Sequence, residues 1–129
     1  MKRFAFLAAM MLSLLGGAPA MAQDVIDSYV AYIGRADLYN SKGTRLRQPW
    51  QILRQDRANF HRFGISQDGD EWDSFFASMK NRGIMERMVR DGYIEPSAAR
   101  AIVGGGAYVL VRIYGHGSRG EYVGVTVFD

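Results

Sequence analysis

Cysteine is absent from this chain of 129 residues. Without it the protein forms no disulfide, the bond on which many small exported domains depend for stability. The acylated cysteine that anchors a bacterial lipoprotein is missing as well, so a lipid anchor of that kind is excluded. Stability must come from the packing of a hydrophobic core, for which a chain of this length is sufficient.

No apolar run is long enough to cross a bilayer, which takes about 20 residues. The longest spans residues 4–15, follows the basic residues 1–3 and is interrupted by glycine and proline. Residues 20–22, Ala-Met-Ala, then form the small-x-small pattern that signal peptidase recognises. We therefore predict that residues 1–22 are a cleavable secretory signal peptide, cut after Ala22. Residues 23–129 are then a single globular domain that works in the periplasm or outside the cell.

A strongly basic composition is also lacking once the signal peptide is removed. The full sequence has 16 lysines and arginines against 13 aspartates and glutamates, a formal net charge of +3. Loss of Lys2 and Arg3 leaves 14 cationic against 13 acidic side chains, a net charge of about +1. Nucleic-acid binding is not expected, because it is typical of strongly basic domains.

The remaining charges are unevenly distributed along the chain. Residues 35–62 carry seven cations and two acids, and residues 68–73 carry four acids. One interpretation is that the two segments pair with each other inside the fold. The other is that the basic segment binds an anionic partner, since arginine forms bidentate contacts with carboxylate and phosphate.

Hydrophobic periodicity predicts an α+β fold, with several short helices packed on a C-terminal antiparallel β-hairpin or small sheet. Helices are predicted over residues 24–33, 49–63, 70–82, 84–90 and 96–103, and an extended segment with a turn at residues 40–43 lies between the first two. The first helix is rich in valine, isoleucine and tyrosine, which also favour strands. Alternating valines near the end predict the hairpin, with residues 115–120 as its loop.

Asp56 interrupts the apolar face of the helix predicted after Pro49. On a helical wheel it lies within the arc of Ile52, Phe60 and Phe63. An unpaired buried carboxylate costs several kcal/mol. Asp56 is therefore predicted to accept hydrogen bonds from backbone amides or from an arginine, which would stabilise the fold. The functional alternative is a carboxylate with a raised pKa that acts as an acid or base.

His61 lies on the same helix, beside Arg54 and Arg57. Cations lower the pKa of a neighbouring histidine and keep it neutral, as a general base must be. A hydrolase could use Asp56 and His61, with Arg54 or Arg57 stabilising an anionic transition state. The two catalytic candidates are about 140° apart on the wheel, however, so they do not converge without a third element.

The hairpin loop, residues 115–120, offers a second candidate. A glycine-rich loop of this kind presents backbone amides to an anion, here together with Arg119. A strand follows the loop instead of a helix, so an ordinary hairpin connection is the alternative. Counting His116 in this loop, the candidate binding residues are Arg54, Arg57, His61, His116 and Arg119. Two histidines without metal-ligand spacing predict no metal site, and no cofactor is predicted.

The run from Arg54 to Gly64, followed by Asp70-Glu71 and Phe75-Phe76, resembles a group of small exported proteobacterial proteins. That group has no assigned activity, so the resemblance implies no mechanism. We predict an exported, non-enzymatic binding or interaction module of the cell envelope, whose partner is an envelope protein or a small anionic ligand. The alternative is the small hydrolase that uses Asp56 and His61. No stable membrane anchor is expected.

Overall fold

The computed structural model describes residues 24–128, so the predicted signal peptide and its cleavage site lie outside the described residues. The elements are β1 (Asp24–Ile33), a 3₁₀ helix (Arg35–Leu38), α1 (Pro49–His61), α2 (Met79–Arg82), α3 (Met85–Arg90), β2 (Tyr93–Ile94), α4 (Pro96–Gly104), β3 (Ala107–His116) and β4 (Arg119–Val127). The fold class is α+β, as predicted. In this part of the chain, no helix has the length and apolar character needed to cross a membrane.

The four strands form one mixed sheet in the order β1-β3-β4-β2. β3 is antiparallel to both β1 and β4, and β2 is parallel to β4. The β3–β4 hairpin is confirmed, but its strands extend further than predicted and pair Gly115 with Gly120 and His116 with Arg119. A two-residue turn, Gly117 and Ser118, suffices because Gly117 has a φ of 58°.

Residues 24–33 form strand β1 and not the predicted helix. On its core face Tyr29, Ala31 and Ile33 are fully buried, and on its other face Val30 is 8 % exposed and Tyr32 is half-buried. The spacing of its apolar residues fits a helix, but its valine, isoleucine and tyrosine side chains also favour a strand. Pairing with β3 along its length decides the outcome.

The acidic segment after α1 is also not the predicted helix. Residues 67–75 instead follow the outer edge of β1, where the Asp70 carboxylate accepts the Tyr32 N–H at 2.7 Å. The Glu71 carboxylate accepts the Val30 N–H at 2.9 Å, and the Glu71 N–H donates to the Val30 carbonyl. The acids expected to begin a helix thus satisfy the edge of a sheet, which protects it from pairing with another chain.

The helices pack on one face of the sheet and share one hydrophobic core with it. The buried face of β1, β3 and β4 meets Ile52 and Leu53 of α1, Met85 and Met88 of α3, and Ile102 of α4. The predicted break at Gly83 is confirmed, since α2 ends at Arg82 and α3 begins at Met85. The predicted turn at residues 40–43 is present too, closed by a hydrogen bond from Gly43 N–H to the Asn40 carbonyl.

Two aromatic residues, Trp72 and Phe63, are on the surface, although helical spacing over residues 49–63 and 70–82 predicts both in the core. Trp72 is 64 % exposed and Phe63 is 47 % exposed. Trp72 lies in the segment that is not helical, so helical spacing does not apply to it. Phe63 lies two residues beyond the end of α1 at His61, where helical spacing no longer applies.

Candidate functional site

Asp56 and Arg57 lie inside the protein, within a group that we call the buried ionic cluster (Asp56, Arg57, His61 and Asp73). Asp56 is 1 % exposed and Arg57 is 0 % exposed. Arg57 Nε donates to Asp56 Oδ2 at 2.7 Å, and Arg57 Nη1 donates to Asp73 Oδ1 at 2.8 Å. Arg57 Nη1 also donates to the Glu71 carbonyl at 2.9 Å. Asp56 thus pairs with an arginine, and that arginine joins α1 to the acidic segment.

Aromatic rings complete the surroundings of Arg57. Its guanidinium carbon lies 4.0 Å from the centroid of the Tyr29 ring and 4.7 Å from that of Phe60. Arginine stacks on such rings because the face of the ring attracts a cation. The guanidinium is also weakly hydrated, so it loses little when the ring displaces water. The sequence placed Arg57 at the edge of the apolar face, whereas the structure places it at full burial. It cannot contact a ligand from solvent.

The buried ionic cluster contains two carboxylates for one guanidinium. Burial raises the pKa of Asp56 to about 8, although the charge of Arg57 acts in the opposite direction. The nearby carboxylates of Asp37 and Asp70 raise this pKa further. A net charge left inside a protein is costly. A proton on Asp56 leaves Arg57 and Asp73 as a matched pair, which is the state we expect at neutral pH.

His61 forms a hydrogen bond with Asp73 and not with Asp56. Its Nε2 lies 2.9 Å from Asp73 Oδ1, and its side chain is 5 % exposed. The rings of Phe60 and Trp72 contact it edge to face. Asp56 and His61 are therefore linked through Arg57 and Asp73, and neither lines any of four clefts on the described surface. This geometry does not favour the hydrolase alternative.

The other predicted binding residues are on the surface but not together. Arg54 is an exposed residue of α1 whose guanidinium lies 5.0 Å from the Trp50 ring centroid. His116 and Arg119 face each other at the hairpin tip, where the Arg119 side chain is 83 % exposed. Within residues 24–128, no group of three or more histidine, aspartate or glutamate side chains is arranged to hold a metal ion.

The predicted pairing of the basic and acidic segments is limited. Among the ion pairs of the described residues, those between Asp73 and its two partners, Arg57 and His61, are the ones that join these segments. Several arginines of the basic segment instead lie over aromatic rings: Arg35 and Arg45 over Tyr39, Arg54 over Trp50, and Arg62 over Phe63. Most of its positive charge therefore remains at the surface.

A surface that the sequence analysis did not single out lies on the sheet. No described helix packs on the face that points away from α1, α3 and α4, which we call the open face. It carries six aromatic side chains: Tyr32, Tyr93, Tyr108, Tyr114, Tyr122 and Phe128. Tyr93 is 60 % exposed, and Tyr108 and Phe128 are exposed as well. The open face is thus aromatic where antiparallel sheets normally present polar residues to water.

Four of the six aromatic side chains of the open face form two pairs, one towards each end of the face. Tyr114 and Tyr122 stack with ring centroids 4.9 Å apart and planes 13° apart. Tyr32 and Tyr108 lie 4.9 Å apart at a tilt of 57°. The Tyr108 hydroxyl donates to the Asp68 carbonyl at 2.9 Å, which holds the ring in position. A cleft of about 300 Å³ opens beside Tyr108, between Phe128 and the β1 edge.

Arg112 is the charged side chain of the open face. It lies on β3 between Leu110 and Tyr114, and its strand neighbours on either side are Ser28 and Gly124. None of the ion pairs between described residues includes it. The alternation of residues 108–114 in the sequence contained the signal for this surface, because the positions between the buried valines are tyrosine, leucine and arginine.

Comparison with known proteins adds no relative: no family model matches the chain, and no curated protein or solved structure is significantly similar to it. The resemblance to small exported proteobacterial proteins therefore stays a prediction. Function must be inferred from the surfaces described above.

Proposed function

We propose that the protein is an exported, non-enzymatic interaction module of the cell envelope whose open face binds a protein partner. The observation that carries this proposal is that the open face includes six aromatic residues and one arginine. Tyrosine and arginine are enriched in protein–protein interfaces, and other charged residues are depleted there. A sheet face that is exposed to water without a partner would instead carry mostly polar side chains.

The size of the open face is consistent with a protein partner. β3 contributes ten residues, which corresponds to a length of about 34 Å, and the three long strands give a width of about 14 Å. The resulting area of roughly 480 Å², to which the two-residue β2 adds little, is more than half of the ~800 Å² that each partner buries in a standard interface. A small molecule would cover only part of it.

Arg112 indicates the charge that the partner presents. It lies on a sheet face that carries five tyrosines, and it has no acidic ion-pair partner in the described part of the chain. An arginine that is desolvated by a partner needs a carboxylate to compensate its charge. The proposed partner is therefore an envelope protein with an apolar surface that includes an aspartate or glutamate opposite Arg112.

Export is part of the proposal and rests on the sequence of residues 1–22. The basic start, the apolar run and the Ala-Met-Ala site have the form of a secretory signal peptide. Expression of the full chain in its host, followed by N-terminal sequencing of the protein from the periplasm or the medium, should give a chain that begins at Gln23. A protein that stays in the cytoplasm with residues 1–22 attached would refute this part.

The docking surface is tested by capture from an extract of the host cell envelope. The exported protein with a C-terminal tag is compared with Arg112→Glu, which reverses the charge of the open face. Arg100→Glu is the matched control, because Arg100 is an exposed arginine of α4 on the opposite side of the molecule. Wild type and Arg100→Glu should retain one protein in stoichiometric amount, and Arg112→Glu should retain about tenfold less or none.

Three outcomes would contradict the proposal. Equal retention by all three proteins would place the contact on another surface. If no protein were retained in stoichiometric amount, the proposal of a protein partner would be refuted. A molecular mass of twice that of the chain in light scattering, reduced to one chain by Arg112→Glu, would show that the open face pairs with a second copy instead.

A further inference from the structure

A cleft of about 510 Å³ lies at the hairpin tip, on the side where α2 and α3 meet β4. We call it the cationic cleft. Its lining includes Lys80 of α2, Arg87 of α3 and Arg119 of β4, together with Ser118 of the turn, and no acidic residue. Of the other three clefts, one includes Glu71, one includes Asp27, and one has no charged residue.

The fold holds one of the three cations in a fixed position. Arg87 Nη1 donates to the Glu121 carbonyl at 3.1 Å, and Arg87 Nη2 donates to the Gly120 carbonyl at 3.4 Å. Gly120 is paired with Gly115 in the hairpin and closely packed, since a Cβ there would lie 2.4 Å from the Phe75 ring and 2.8 Å from Met88. A guanidinium has five N–H donors, so Arg87 keeps donors for a ligand after these two bonds.

Two acids lie near the cations but outside the lining. Arg87 Nη1 is 3.7 Å from Asp91 Oδ2, and Arg119 Nε is 3.3 Å from Glu121 Oε2. Exposed ion pairs of this kind contribute little to the stability of the fold, and both side chains remain able to move. Lys80 is exposed and takes part in none of the ion pairs between described residues. The cationic cleft thus keeps a positive charge towards solvent.

Side chains, and not the backbone, supply this charge. The glycine-rich composition of residues 115–120 predicted a backbone site for an anion. In the structure Gly115, Gly120 and the residues beside them pair in the β3–β4 ladder, which leaves Gly117 and Ser118 as the turn. Arg119 is the residue of that prediction that reaches a cleft, and Lys80 and Arg87 join it from segments distant in sequence.

We propose that the cationic cleft binds the phosphate group of a small ligand. Three cations from three elements suit an anion with oxygens in several directions, whereas a carboxylate has two oxygens in one plane. Arginine forks match phosphate geometry, and lysine adds a mobile positive charge. The Ser118 hydroxyl is a further donor at the same cleft. This site is separate from the open face, so either proposal can fail without the other.

Titration with pyrophosphate, followed by amide chemical shifts, tests the site. We expect saturable changes in chemical shift that are confined to residues 80–87 and 117–121. The affinity for pyrophosphate should fall as the salt concentration rises from about 50 to 200 mM, because salt screens exposed charges. The double variant Lys80→Gln, Arg119→Gln should weaken binding about tenfold or more. Both side chains are exposed, so this variant should keep the wild-type melting temperature.

The matched control is Lys42→Gln, Arg47→Gln, which removes the same charges from exposed positions elsewhere. Its affinity for pyrophosphate should remain within about twofold of wild type. Equal weakening by both double variants would show diffuse charge attraction and overturn the proposal. Shifts that do not saturate, or that lie outside the cationic cleft, would overturn it as well.

A second arm distinguishes a free phosphate ligand from a lipid headgroup. Vesicles of phosphatidylcholine with and without phosphatidic acid are sedimented with the protein. Binding to phosphatidic acid that pyrophosphate displaces and the Lys80→Gln, Arg119→Gln variant lacks would identify a lipid phosphate. Saturable pyrophosphate binding without vesicle binding would identify a soluble phosphate compound.

Discussion

Arginine has opposite roles in two regions of this protein. Arg57 in the buried ionic cluster is 0 % exposed and bonded to Asp56 and Asp73. Arg119 at the hairpin tip has a side chain that is 83 % exposed and one loose contact, with Glu121. The same side chain is thus a structural link where water is excluded and a candidate ligand contact where water is present.

The difference follows from the cost of removing charge from water. A buried charge is stable only with partners in good geometry, so every member of the buried ionic cluster depends on the others. An exposed charge is screened, and its ion pairs are weak. Variants of the two regions should therefore separate stability from binding.

The largest effect is expected for Arg57→Met. Removing the guanidinium leaves the Asp73 carboxylate buried without its cation and the Asp56 carboxyl without its hydrogen bond, which should lower the free energy of unfolding by about 3–5 kcal/mol. Urea denaturation followed by circular dichroism measures this. Arg54→Met is the control on the same helix, and since Arg54 is exposed it should stay within about 0.5 kcal/mol of wild type. Similar losses in both variants would mean that Arg57 is not a structural link.

A smaller effect per pH unit is expected from the proton on Asp56. In the folded protein its pKa is raised to about 8, and in the unfolded chain it is about 3.9. The folded state therefore binds more protons between these values, so stability from this group is present below about pH 4 and is lost as the pH rises towards 8. The free energy of unfolding should fall with rising pH, by at most about 1.4 kcal/mol per pH unit.

Asp56→Asn sharpens this measurement, because an amide resembles the protonated carboxyl and still accepts a hydrogen bond from Arg57. Melting temperatures of wild type, Asp56→Asn and the exposed control Asp68→Asn should be recorded from pH 4.5 to 8.5. The slope with pH should be reduced only in Asp56→Asn. An unchanged slope in that variant would show that Asp56 is ionised throughout.

The smallest effect on stability is expected for Arg119→Gln. Its contact with Glu121 is exposed, so the free energy of unfolding should change by less than about 0.5 kcal/mol in urea denaturation. A loss comparable to that of Arg57→Met would remove the contrast between the two regions. It would also make Arg119 unsuitable as a probe of ligand binding.

Several elements could be predicted because the signals that determine them are local. Pro49 at the first position begins α1, Gly83 separates α2 from α3, and alternating valines define the hairpin. Burial of Asp56 was likewise visible from its place among apolar residues of one helix. Each of these inferences needs only neighbours within a few residues along the chain.

The incorrect predictions concern segments whose conformation depends on distant partners. Residues 24–33 suit a helix or a strand, and β3, about 80 residues later, selects the strand. Asp70 and Glu71 have the composition of a helix start, but their carboxylates instead accept the N–H groups of Tyr32 and Val30, which have no strand partner because β1 is an edge strand. The candidate site was affected in the same way, because Lys80 and Arg87 are linked to Arg119 only by the packing of α2 and α3 against β4.

The sequence by itself determined the α+β class, the absence of disulfides, the position of α1 and the C-terminal hairpin, because hydrophobic period, proline and glycine act locally. Tertiary structure alone decided that β1 is a strand, that Arg57 is enclosed by Asp56 and Asp73, and that the tyrosines of four strands form one open face. The physical reason is that a buried charge or a sheet edge is stabilised by whatever donor or acceptor the fold brings to it, and sequence distance carries no information about that partner.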